Sequence, residues 1–235
     1  EESSRYIRET YGNADGAADG AQRPTRRAVF FTWDYHDDPN RQKSYLDKCG
    51  GNIVPANSVE EADFVLAHGA NVWQRERIED FTQLEGFLQQ GDLSSIEPIL
   101  EQCKARNLPM VCANSDFIVR MPDGSTGYMP GNIAKRYEEM GGECKYFGKP
   151  DPKPFRACVE MLGLDASRVV HVGDSLHHDI AGANAAEIAS VLVTSGIHCE
   201  ELGTNFGKLP TDDALVDLLH KSGHTPTHIV STFQL

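Results

Sequence analysis

The sequence predicts an α/β protein with mostly parallel strands, and three observations carry that expectation. Short apolar runs alternate with segments of helical periodicity, several of those runs end in clusters of Gly, Asn, Asp or Lys, and 235 residues at 40% hydrophobic content suffice for a sizeable core. Parallel neighbours need crossover helices, so the alternation itself argues for parallel pairing.

The elements follow in order. Glu1 to Gly12 reads as a helix already under way that stops at glycine, and Asn13 to Arg27, rich in Gly, Ala and Asp and then basic, reads as a surface loop. Ala28 to Thr32 is a buried strand, Ser44 to Cys49 a short helix ending at Gly50-Gly51, and Ser58 with Glu61 a capping-box pattern for a short helix before the strand Asp63 to Ala67. Between Leu93 and Asn107 the apolar positions Ile96, Ile99, Leu100 and Cys103 share one helical face. Met110 to Ala113 is a strand, Pro130 to Met140 a helix with a Gly141-Gly142 stop, and Cys144 to Phe147 a strand. A helix from Pro154 to Leu162, the strand Arg168 to Val172, a helix from Asp179 to Ala186 and the strand Ser190 to Thr194 complete the alternation.

Charge and composition exclude other classes. Twenty-two Lys and Arg face 35 Asp and Glu, a net charge of −13, and no basic stripe offsets it, so nucleic-acid binding is not expected. No apolar run approaches the ~20 residues that span a bilayer, so no membrane association is expected either. The six cysteines are scattered without a Cys-x-x-Cys pair, which reads as reduced, mostly buried thiols and a reducing compartment, the cytoplasm or an organelle matrix.

In open parallel sheets ligands gather beyond the carboxyl ends of the strands. Three such positions carry polar clusters: Asn114-Ser115-Asp116, Gly148-Lys149-Pro150, and Gly173-Asp174 with Asp179 five residues on. Two carboxylates at one strand tip suit a hard cation such as Mg2+, which takes one or two carboxylates plus waters and phosphate oxygens. The alternative is that Asp174 is a turn residue and Asp179 a helix N-cap. His177 and His178 read as surface residues, and Lys149 alone carries little weight because most lysines are solvated.

A strand-end Gly-Lys-Pro followed, 25 residues after the lysine, by a strand-end Gly-Asp-x4-Asp resembles the third and fourth motifs of the haloacid dehalogenase-like (HAD) hydrolases. Asn114-Ser115-Asp116, the Gly131 to Gly142 segment, Tyr146-Phe147-Gly148-Lys149-Pro150, Gly182 to Ala186 and Thr194-Ser195-Gly196-Ile197 follow the order of subclass IIA, the group similar to nitrophenyl and phosphoglycolate phosphatases. The resemblance covers residue 58 onward. It implies a three-layer Rossmann-like HAD core, of which residues 146–235 would be the C-terminal half, and an α/β class II cap over residues 1–145 with a loop insertion near 13–27. It also implies a Mg2+-dependent phosphatase that works through an aspartyl-phosphate. By position, Lys149 would be the catalytic cation that holds phosphoryl group and nucleophile together, Asp174 and Asp179 the metal ligands, and Asn114 and Asp116 substrate-binding residues. The partners implied are a small phosphorylated metabolite and a second copy docking through the cap, with Arg23, Arg26 and Arg27 either phosphate-side contacts or a solvated loop.

Two parts of the family pattern are missing: the nucleophile motif, and the second motif, a Ser or Thr at a strand tip before the cap, for which Ser3-Ser4 lies too far into the first helix. The nucleophile motif, an apolar strand followed by Asp-x-Asp, should precede the cap, yet Asp34 is followed two residues later by His36, and Asp37-Asp38-Pro39 fails as well. Asp34 to Asn40 therefore reads as a polar loop, and the sequence reads as a partial one that lacks the motif. The competing readings are a pseudophosphatase that binds or regulates without chemistry, and a receiver-like domain, for which no acidic pair and phosphorylatable Asp stand at other strand tips.

Overall fold

In the computed structural model, residues 2–12, 24–36, 38–121 and 123–234 are described. The chain divides into two compact units, Glu1–Val119 with Gly127–Phe147, and Arg120–Thr126 with Gly148–Leu235.

The first unit opens with α1 (Glu2–Ile7), which winds on as a π-turn to Gly12. It continues through β1 (Arg26–Thr32), α2 (Pro39–Cys49), β2 (Ile53–Pro55), β3 (Phe64–Ala67), β4 (Val72–Gln74) and β5 (Phe81–Gln83). Then come α3 (Phe87–Gln90), α4 (Glu97–Ala105), β6 (Met110–Cys112), a hairpin of β7 (Ile118–Arg120) and β8 (Thr126–Tyr128), whose residues from Arg120 to Thr126 count with the second unit, α5 (Pro130–Glu139) and β9 (Cys144–Tyr146). The sheet runs β5-β4-β1-β3-β6-β9, with β2 also on β1. Strands β2, β3, β6 and β9 join in parallel, and β4 and β5 antiparallel.

Strand periodicity places the helices. Ala28 and Phe30 face one way, packing with Ile7, Cys49, Phe64 and Leu66 beneath α1 and α2. Val29 and Phe31 face the other way, into a larger cluster with Leu100, Cys103, Ile133 and Tyr137 of α4 and α5. Both faces of the parallel strands are thus covered, which explains their continuous apolar runs. The spacing of Ile96, Ile99, Leu100 and Cys103 predicts their common burial, and all four are buried. Tyr137 has no exposed surface, and its hydroxyl donates to the Leu108 carbonyl at 2.7 Å.

Several expectations are corrected here. Arg26 and Arg27 belong to β1 and not to a loop: their backbone pairs with Ile53 and Val54, and their guanidinium groups meet Asp63 at 3.4 Å and Glu76 at 2.8 Å. Residues 13–23, Arg23 among them, and Asp37 lie outside the described residues. Helix α2 starts earlier than expected because Asp38 caps it, accepting from the Asn40 amide at 3.0 Å. Ser58 to Glu61 forms a turn instead of a helix; so few residues precede β3 that a helical nucleus gains too little to form. There the Glu61 carboxylate accepts from the Asn57 amide. Strands β4 and β5 carry no alternation long enough to be read.

The second unit is a three-stranded parallel sheet. It contains α6 (Pro152–Leu162), β10 (Val170–Gly173), a π-turn Leu176–Ile180, α7 (Ala181–Ala186), β11 (Ala189–Val193), α8 (Asp212–Ser222) and β12 (His228–Val230), with sheet order β10-β11-β12. Asp151 caps α6 by accepting from the Lys153 amide at 2.9 Å, and Thr211 caps α8. Leu176, Ile180, Leu192, Leu202 and Leu218 form one core, Phe155, Ala183, Ala186 and Ile188 another. Among the described residues β10 pairs with β11 alone, and Val170 is 49% exposed. Helix α8 and β12 were not expected from the sequence.

All six cysteines are free, and burial pushes the Cys49, Cys103, Cys112 and Cys144 thiols up to about 12. Such thiols are inert at neutral pH. Among the described residues no helix is long and apolar enough to cross a membrane.

Truncating Tyr137 tests the larger core. Tyr137→Phe is expected to cost about 1–2 kcal/mol by leaving the Leu108 carbonyl without its donor, and Tyr137→Ala about 3–5 kcal/mol through the cavity it opens. Urea unfolding reads both; equal costs would show that the ring contributes nothing beyond its hydroxyl.

Candidate active site

The candidate site lies in the second unit, beyond the carboxyl end of β10. A parallel strand carries its last carbonyls and the following loop past the sheet, and here that loop is Gly173 to Ser175, wound directly into the π-turn. Ser175 caps this turn by accepting from the His178 amide at 3.2 Å. The winding folds Asp179 back toward the strand: its Oδ2 accepts from the Ser175 amide at 3.0 Å. Gly173 is required by the close approach, since a Cβ there would lie 2.3 Å from the Asp179 carboxyl carbon.

Asp179 is 4% exposed. Its Oδ1 receives the Lys149 ammonium at 2.9 Å and lies 3.1 Å from His171 Nε2. Burial alone would push the carboxyl up. The His171 hydrogen bond, the Lys149 charge and hydrogen bond, and the Ser175 amide together outweigh it and hold Asp179 well below the usual carboxylate range. Lys149 reaches the site from the loop after β9, where a cis peptide links it to Pro150.

Asp174 is held from a different side. Its Oδ2 accepts from the Ile197 amide at 3.0 Å, in the loop that follows β11. Gly196 leaves the room for this approach, because a Cβ there would lie 2.1 Å from that same oxygen. The loops after β10 and β11 are therefore clasped through one carboxylate.

The structure thus brings Lys149 and Asp179 into an ion pair and sets Asp174 on the same strand-tip loop. Both carboxylates are hard oxygen donors, a set that suits Mg2+ and not a thiolate-preferring metal. Among the described residues no group of three or more His, Cys, Asp and Glu side chains is arranged to hold a metal ion, so these two carboxylates would supply only part of a coordination shell.

Asn114 and Asp116 belong to the first unit, after β6. Asn114 Oδ1 accepts from the Asp116 amide at 3.1 Å, and the Asp116 carbonyl accepts from the Gly131 amide at 3.1 Å, tying this turn to the start of α5. Asp34, also in the first unit, is engaged by the His36 ring at 2.7 Å and by Gln83 at 3.0 Å.

His178 departs from the surface reading: it is 8% exposed, with Nδ1 at 3.1 Å from Ser175 Oγ. The π-turn draws it inward. His171 is the participant the sequence did not flag. It stands among valines two residues before Gly173, which is the signal that could have marked it.

A cavity of about 320 Å³ adjoins this site. Phe155, Cys158, Leu162 and Val170 give it an apolar wall, and Lys149 and His171 also line it.

A family model described as haloacid dehalogenase-like hydrolase matches residues 25–187, and a HAD-hydrolase-like model matches residues 146–234. The chain is similar to a dihydroxyacetone phosphatase of Corynebacterium glutamicum, 27% identical over 125 residues, which cover 52% of this chain and 38% of that protein. It is 46% identical over 57 residues to a phosphoglycolate phosphatase of Neisseria gonorrhoeae, covering 24% of each. Among solved structures, a haloacid dehalogenase-like hydrolase from Brucella suis matches with a TM-score of 0.60 at 19% identity, over 99% of this chain and 71% of that one. A p-nitrophenyl phosphatase from Archaeoglobus fulgidus matches with a TM-score of 0.55 at 18% identity, over 97% and 68%. These two likenesses concern the fold.

Asp179 makes the site sensitive to acid. A carboxyl whose folded pKa lies below its unfolded value contributes stability that is complete above the unfolded pKa, about 4 for Asp, and is lost as pH falls toward the folded value. Stability should therefore fall from about pH 5 downward, and Asp179→Asn should remove that share of the slope. Urea midpoints between neutral and acid pH read this; an unchanged slope contradicts it.

Proposed function

The chain belongs to the haloacid dehalogenase-like hydrolases, and on that premise we propose that it forms part of a Mg2+-dependent phosphatase acting on small phosphomonoesters through an aspartyl-phosphate. The observation that carries this reading is the strand-tip constellation in which Lys149 lies 2.9 Å from a buried Asp179 beside Asp174.

In this reading the first unit is the α/β cap and the second belongs to the catalytic core. Asp174 and Asp179 would hold Mg2+, which supplies charge neutralisation for the transferring phosphoryl group. Lys149 would draw the phosphoryl oxygens and an anionic nucleophile together, so most of its contribution is electrostatic positioning. His171 and the Ser175 amide keep Asp179 ionised and correctly turned. Asn114 and Asp116, through their turn, would shape the cap's contribution to substrate binding.

The nucleophile has to come from elsewhere, since Asp-x-Asp occurs nowhere in these 235 residues. The edge of β10 not used by β11 and the apolar cavity beside it offer a place for a further strand. A strand added in parallel there would end beside Gly173, within the same strand-tip region as Lys149, and would cover the exposed Val170. A second reading, a binding protein without catalysis, is favoured by the same missing motif.

The test is a protein extended upstream of Glu1 and assayed against a panel of phosphomonoesters that includes phosphoglycolate, dihydroxyacetone phosphate and p-nitrophenyl phosphate. Mg2+-dependent turnover that falls on the order of 10²-fold or more in Asp174→Ala is expected. Turnover unchanged by that substitution would refute the metal assignment, and an upstream sequence without Asp-x-Asp, together with absent turnover, would favour the binding role.

A further inference from the structure

The three residues after β11 and Thr194-Ser195 do more than receive Asp174. Gly196 leaves room for its carboxylate, the Ile197 amide donates to it at 3.0 Å, and the next side chain, His198, reaches back to the same loop: the Leu176 amide donates to His198 Nε2 at 3.2 Å. One segment thus grips the Asp174 loop at two points, the carboxylate and, two residues on, the first amide of the π-turn that carries Asp179. From this geometry we infer that His198 is a positioning residue for the Asp174 and Asp179 carboxylates. This inference rests on the metal-site reading proposed above.

The chemistry of the ring fixes its state. A nitrogen that accepts from a backbone N–H carries no proton, so the proton of neutral His198 sits on Nδ1. That side faces the Glu201 carboxylate, 3.8 Å away. Glu201 also receives Lys221 at 3.6 Å, which anchors it to α8. His198 is 11% exposed at its side chain, so water cannot readily replace it as the acceptor for Leu176, itself fully buried. Burial, opposed by Glu201 and Asp174 and reinforced by His177, lowers the pKa of His198 and keeps it in the neutral accepting form.

Without this acceptor the Leu176 amide would be left buried and unpaired, and the turn would relax to satisfy it. Asp174 and Asp179 flank that amide in sequence, so the relaxation would move one carboxylate relative to the other. A side chain that orients metal ligands in this way is worth about 10–100-fold in metal affinity.

The experiment compares the wild-type chain with His198→Ala, which removes the acceptor, and His198→Gln, whose side-chain oxygen can reach the same position. Mg2+ affinity is measured by calorimetry, protection of the Leu176 amide by hydrogen exchange, and the imidazole tautomer by nitrogen chemical shifts. The expected result is an Nδ1-protonated ring in the wild type, a Mg2+ affinity about tenfold weaker in His198→Ala with faster Leu176 exchange, and recovery of both in His198→Gln. Unchanged affinity and unchanged Leu176 protection in His198→Ala would overturn the inference, as would an Nε2-protonated ring. A wild-type chain that binds no Mg2+, with Asp174→Asn as its control, would overturn the metal-site reading and with it this role, even where Leu176 exchange still responds to the substitution.

Discussion

A carboxylate that is almost wholly removed from water keeps its charge only if other groups replace the lost solvation. Asp179 meets this condition with a lysine, a histidine and a backbone amide. Each of the three comes from a different part of the second unit: the loop after β9, the middle of β10 and the start of the π-turn. The charge therefore fixes the geometry of all three, and removing any one would leave the carboxylate under-compensated. Lys149 pairs with Asp179 in this structure, and in the proposed function it would also meet the phosphoryl group of a bound substrate.

The two units handle their sheets differently. In the first, both faces of β1 and β3 are covered by helices, and alternate residues such as Phe30 and Phe31 feed separate clusters. In the second, β10 has one partner strand among the described residues, and apolar groups including Val170 line a cavity beside Lys149. A sheet edge with exposed apolar groups is a site of strand addition. Its nearness to the candidate site links the proposed chemistry to polypeptide that would complete the sheet.

Much of this arrangement was legible in the sequence because its signals are local. The runs Ala28 to Thr32, Asp63 to Ala67 and Ser190 to Thr194 read as strands and overlap β1, β3 and β11, and the Ile96, Ile99, Leu100, Cys103 spacing reads as one buried helical face. Lys149, Asp174 and Asp179 could be picked out because each follows a strand and the three stand in a family-like order. What was not legible depends on distant partners. Strand β4 exists because it pairs with β1, and β12 because β11 offers an edge. Arg26 lies in a strand because Ile53 pairs with it, although its composition suggests a loop. His178 is buried because the segment winds as a π-turn, which no spacing rule announces. His198 lies 24 residues from Asp174, and only the fold brings it to the Leu176 amide.

The central claim is that Asp174 and Asp179 form the metal-binding part of a phosphoryl-transfer site. The most direct measurement is anomalous diffraction from crystals of the chain soaked in Mn2+, which substitutes for Mg2+ and can be located by its own signal. The account predicts a peak at roughly 2.1–2.3 Å from oxygens of Asp174 and Asp179, at the strand tip beside Lys149. A saturating soak that leaves this loop empty, or a peak ligated by other residues, would contradict it.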